Sequence, residues 1–91
     1  MRIEYDPVKN AKNMAERGLS FDDAVRFEFD TALYALDDRK DYGERRIRAL
    51  GRVGSRVHSL VFIEVADGIR VISFRKANKR EVKLYEQATQ P

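Results

Sequence analysis

The stretch that decides the fold is Arg56-Val-His-Ser-Leu-Val-Phe-Ile-Glu-Val-Ala-Asp-Gly-Ile-Arg-Val-Ile-Ser-Phe-Arg-Lys76. In a strand over 57–65, Val57, Ser59, Val61, Ile63 and Val65 share one face, while Leu60 and Phe62 lie opposite. Apolar residues on both faces mark a central strand buried on both sides. Asp67-Gly68 is a two-residue hairpin signal, and residues 69–76 supply the returning strand. The centre of the chain is therefore an antiparallel hairpin that its neighbours must extend and cover.

Upstream, residues 45–52 read as a third strand, with Ile47 and Ala49 on one face and Arg46, Arg48, Leu50 and Arg52 on the other. Val53-Gly54-Ser55-Arg56 turns it into the hairpin. Residues 31–37 alternate weakly and read as a further strand, followed by the longest loop, which ends at Gly43. Downstream, Asn78 and Glu81 form a capping pattern that opens a helix to about Ala88, with Val82, Leu84 or Tyr85 inward. At the start, residues 2–5 suit a short strand. Asp6 is an N-cap and Pro7 a first helical residue, so a helix runs to Arg17, with Gly18 as its C′ residue. Val8, Ala11 and Met14 form the narrow stripe expected to lie on the sheet. Ser20 with Asp23 restarts a second helix through Ala24 and Phe27. The order β-α-α-β-β-β-β-α predicts one α+β domain over residues 1–91. Its antiparallel sheet carries the helices mainly on one face and leaves a basic face partly open.

Composition narrows the function. The 91 residues contain no cysteine, which excludes disulfides, cysteine-rich zinc sites and a catalytic cysteine. One histidine cannot build a His-rich metal site, and neither GxGxxG nor GxxxxGK occurs. No apolar run approaches the roughly 20 residues of a membrane span, and the start lacks a signal-peptide core. A soluble, cytoplasmic protein without a cofactor is expected. The charge is polarised: residues 1–40 hold seven Lys/Arg and nine Asp/Glu, and residues 41–91 hold eleven and six.

Those eleven cations point to phosphate, because a guanidinium fork grips two phosphate oxygens and keeps its charge when half-buried. Arg46, Arg48 and Arg52 are equally read as a solvated strand face. Arg75 stands out, following Ile-Ser-Phe at the end of a buried strand just before a helix. Glu44 is either a general base among arginines or an ion-pair partner. His58, beside Leu60 and Phe62, reads as packed before it reads as a base, and Tyr85 as packing before catalysis.

Three stretches carry a family resemblance. They are Tyr5-Asp6-Pro7-x-Lys9-x-x-x-Asn13-x-x-x-x-Gly18-x-Ser20-Phe21-x-x-Ala24, Glu44-Arg45 with Gly51 six residues on, and Ile72-Ser73-Phe74-Arg75-x-Ala77-x-x-x-Glu81-x-x-x-Tyr85. Together they resemble the BrnT family of toxin–antitoxin ribonucleases over nearly the whole chain. The resemblance implies a RelE-like fold and a metal-independent endoribonuclease that inhibits translation. It also implies a BrnA-type antitoxin, in a tight heterotetramer that binds operator DNA through the antitoxin. Tyr5 stands where the family has Trp, Glu16-Arg17 where it has Lys-His, and Phe74 where it has Ala. On this reading Arg75 and Arg80 hold the scissile phosphate with Arg45 or Lys79 in support, Glu44 is the base, and Tyr85 or Lys79 is the acid. Lys9, Arg46, Arg48, His58, Lys76 and Lys79 bind RNA. The alternative is a non-catalytic basic module that holds nucleic acid or an acidic protein.

Overall fold

A computed structural model describes residues 1–90, in the order β1 (Arg2–Glu4), α1 (Pro7–Arg17), two 3-10 helices (Phe21–Arg26 and Phe29–Thr31), β2 (Leu33–Leu36), β3 (Ile47–Val53), β4 (Arg56–Val65), β5 (Gly68–Lys76) and α2 (Lys79–Thr89). The strands form one sheet in the order β1-β5-β4-β3-β2. The fold is α+β. β4 lies at its centre with every residue from Val57 to Phe62 buried, as apolar residues on both faces require.

The expected all-antiparallel sheet is corrected at one edge: β1 pairs with β5 in parallel, Ile3 opposite Ile69. Alternation along a three-residue strand is the same for either direction, so only the long route of the intervening chain sets it. The hairpin turn also sits one residue earlier than expected. Ala66 and Asp67 form the loop, Asp67 takes φ 67°, and Gly68 pairs with Val65 as the first residue of β5. Gly68 serves close approach instead: a Cβ there would stand 1.8 Å from the Arg2 carbonyl oxygen.

Helix positions differ more. The expected second α-helix is a 3-10 helix, with Ser20 Oγ accepting from the Asp22 N–H at 3.1 Å. Phe21, Ala24 and Phe27 from this segment meet Ala49, Val53, Leu60, Phe62, Ile69, Val71 and Phe74 in the main core on one sheet face. α2 packs on the opposite face, where Tyr85 and Val82 join Val57, Leu50, Leu33 and Ala77. The helices are therefore divided between the faces, and α2 covers only one end of the basic one.

The cap residues Asp6, Pro7 and Gly18 act as expected, Gly18 at φ 64°. The Val8, Ala11, Met14 stripe does not lie on the sheet; Val8 is 76% exposed. α1 is held by polar bonds instead. Asn10 Oδ1 accepts from the Phe21 N–H at 2.8 Å, and Asn13 Nδ2 donates to the carbonyls of Leu19 and Phe74, both at 2.9 Å. Because β1 pairs only as far as Arg70, the β5 edge beyond it lacks a strand partner, and Asn13 satisfies one carbonyl there.

A β-bulge matters for function. The register passes from Val61 opposite Ser73 to Phe62 opposite Val71, which leaves Ile72 as the extra residue. Strict alternation would set Arg70 and Arg75, five residues apart, on opposite faces. With the bulge both fall on the Val61 face, while Ile69, Val71 and Phe74 all enter the main core.

Candidate functional site

Arg46, Arg48, Arg70 and Arg75 share the face only partly covered by α2. Arg48 is opposite Val61 and Arg75 opposite Ser59, on the two strands flanking β4. Arg75 has 33% of its side chain exposed. Its Nη1 donates to Glu81 Oε1 at 2.7 Å and its Nη2 to Glu81 Oε2 at 3.0 Å, a two-pronged charge-assisted pair. Glu81 also closes the expected capping box of α2: its Oε1 accepts from the Asn78 N–H at 2.9 Å, and Asn78 Oδ1 accepts from the Glu81 N–H at 2.8 Å. The bond from Arg75 holds the Glu81 carboxyl below the usual carboxylate range, with Arg48 pulling the same way.

The loop after β2 adds a second pair. Asp37, with 1% of its side chain exposed, accepts from Arg39 Nε at 2.7 Å and Nη2 at 2.9 Å. That bond lowers the Asp37 carboxyl, and Arg48 contributes in the same direction. Further along, the Arg46 guanidinium stacks 3.9 Å from the Tyr42 ring centre and donates from Nη2 to Glu44 at 3.2 Å. A hollow of about 200 Å³ lined by Asp6, Lys9, Glu44, Arg46, Arg70 and Ile72 continues the face. The arrangement is a row of arginines, with Arg75 steadied by a carboxylate and Arg46 by a carboxylate and a ring, able to bind a polyanion along its length.

A family model described as "Ribonuclease toxin, BrnT, of type II toxin-antitoxin system" matches residues 5–81. The chain belongs to the BrnT family. Comparison with curated proteins finds no match. Membership makes the chain one of a ribonuclease toxin family and implies an antitoxin protein as its partner.

Within this BrnT chain the residues expected to bind or react fall into distinct places. Arg46, Arg48 and Arg75 gather on one face, with Glu44 and Lys9 at its rim. Arg80 is exposed on the first turn of α2, next to Glu81. Arg45 faces the other way, into an apolar hollow with Phe29, Tyr34, Leu36 and Phe62. Lys79 lines a groove beside Arg52, Arg56 and Val82, at the far side of α2. Tyr85 is 2% exposed, packed in the smaller core. Lys76 pairs opposite His58 on the main-core face. It does reach the edge hollow lined by Arg17, Leu19 and Arg75.

His58 is corrected from RNA contact to core packing. It is 5% exposed, its Nδ1 lies 2.9 Å from the Arg56 carbonyl oxygen, and its ring sits 5.4 Å from that of Phe74. Burial, more than the neighbouring cations Arg56, Lys76 and Arg26, lowers its pKa below the ordinary histidine value. The folded chain therefore takes up a proton at His58 less readily than the unfolded chain, which protonates it as pH falls through about 6.5. Stability present above that pH is expected to decline below it, with a slope of up to one proton, about 1.4 kcal/mol per pH unit. Thermal melts at successive pH values between 7.5 and 5.5 check this, and His58→Gln is expected to flatten the decline.

In the sequence Glu81 reads as a helix cap and as part of the third family stretch, and its role as the partner of Arg75 was missed. The signal was present: six residues after Arg75, a first-turn carboxylate points back toward the strand end. The Asp37–Arg39 pair was not read from the sequence, and Arg70 became part of the site through the bulge.

Proposed function

We propose that the arginine face binds the RNA backbone and that this toxin cleaves RNA as a metal-independent endoribonuclease. The observation that carries the reading is the gathering of Arg46, Arg48 and Arg75 on the sheet face that α2 leaves open, in a chain of a ribonuclease family. The RNA 2′-oxygen attacks the adjacent phosphorus, the P–O5′ bond breaks, and the products are a 2′,3′-cyclic phosphate and a 5′-hydroxyl. Arg75 and Arg48 stabilise charge growing on the phosphorane oxygens, with Arg80 in support. Glu44 takes the 2′ proton, and water protonates the departing 5′-oxygen, since buried Tyr85 serves packing. Lys9 and Arg46 hold neighbouring phosphates.

Cleaved message would inhibit translation. The partner proposed is a BrnA-type antitoxin whose acidic segment covers the same arginines, in a heterotetramer bound to operator DNA. A RelE-like classification and a cytoplasmic location belong to this reading; no helix among the described residues is long and apolar enough to cross a membrane. Purified protein with RNA in excess EDTA is expected to give products ending in cyclic phosphate. The same oligonucleotide with 2′-deoxy sugars is expected to stay intact, because DNA lacks the attacking hydroxyl. Salt-sensitive binding without any product would instead favour a non-catalytic basic module.

A further inference from the structure

We infer that Glu81 is the positioning residue for Arg75, holding its guanidinium so that one edge stays free for the scissile phosphate. This rests on the ribonuclease reading of the same face. Glu81 takes the end of the guanidinium, with one oxygen on Nη1 and one on Nη2. Nη1 also donates to the Lys76 carbonyl at 3.3 Å. Neither contact uses the side of the group, where Nε–H and the outer Nη2–H run parallel. Two parallel N–H groups match two phosphate oxygens.

The carboxylate is itself fixed. Its Oε1 is tied to the backbone at Asn78, and α2 is anchored on the sheet by Tyr85 and Val82. A rigid path therefore runs from the end of β5 through Arg75 and Glu81 into the cap of α2. A half-exposed arginine without such a partner samples many rotamers, and that freedom would be lost on binding phosphate. Fixing the group beforehand removes the cost from the reaction step. Glu81 also sits within electrostatic reach of Arg48 and Arg75 together, and Arg39 disfavours the charge on Arg75. One carboxylate lets these cations share a small area while leaving net positive charge for RNA.

The test compares Glu81→Gln with Asn78→Ala. Glutamine keeps an acceptor for the Asn78 N–H but places an NH2 against Nη2, so the two-pronged pair is lost while the cap survives. Asn78→Ala weakens the cap and leaves Arg75–Glu81 in place. Two readouts are taken on folded full-length protein: single-turnover RNA cleavage over a range of RNA concentrations, and the nitrogen-15 NMR signal of the Arg75 Nε–H group. Glu81→Gln is expected to lower the maximal cleavage rate about tenfold, with half-saturation unchanged or lower, and to average out the ordered Arg75 signal. Asn78→Ala is expected to melt at lower temperature yet keep both rate and signal. A wild-type rate in Glu81→Gln, a retained ordered signal there, or an equal rate loss in Asn78→Ala overturns the inference alone. Absence of cleavage by the wild type overturns the ribonuclease reading, and this inference with it.

Discussion

Arg75→Ala is expected to lower RNA cleavage by roughly two to three orders of magnitude, the usual consequence of removing a preorganised donor from a developing oxyanion. Loss of the guanidinium takes away both the charge at the end of β5 and the fork that Glu81 orients. The fold is expected to persist. Arg75 belongs to neither core, and Glu81 keeps its bond from the Asn78 N–H and gains access to water. Circular dichroism and a melting curve on the same preparation separate the chemical loss from unfolding. Arg75→Lys is expected to recover little, because an ammonium supplies charge without the parallel N–H pair. Arg45→Ala and Lys79→Ala, placed on the opposite face and in the groove beyond α2, are expected to change cleavage less than about threefold. Full activity in Arg75→Ala would remove the central residue of the proposed site.

The largest loss of stability is expected from Phe74→Ala, at about 3–5 kcal/mol. Phe74 is fully buried in the main core, pairs opposite Leu60 and faces the His58 ring. Its removal leaves a void between β4, β5 and the 3-10 segment, where rigid strands limit collapse. A small domain has only about 5–15 kcal/mol in total, so this single change uses a large share of it. Urea denaturation checks the value, and a loss below about 1 kcal/mol would mean that the core refills the space. The Asn13 bond goes to the Phe74 backbone carbonyl and is expected to survive. Because the side chain points away from the arginine face, cleavage per folded molecule is expected to stay within about threefold of the wild type.

Local chemistry made most of the strand and helix positions legible. Asp6-Pro7, Gly18 and the Asn78–Glu81 box act through bonds within a few residues, so they read directly from the chain. α1 misled because its attachment is polar. A period of apolar residues points to a buried face, yet Asn10 and Asn13 make the bonds that hold it, and Val8 and Met14 face water. The candidate site was legible in its residue types more than in its grouping: Arg75, Arg48 and Arg46 lie along one sheet face, while Arg45, His58 and Lys79 lie elsewhere.

By itself the sequence determined the central hairpin, the arginine-lined face of β3 and the capped helix that follows Arg75, since alternation and capping depend on neighbours in the chain. Only the tertiary structure decided which cations act together. The parallel seating of β1, the bulge at Ile72 and the placement of α2 on the opposite face from the 3-10 segment all depend on contacts distant in sequence. One extra residue in β5 reverses the facing of every side chain before it, and that reversal brings Arg70 to the same side as Arg75.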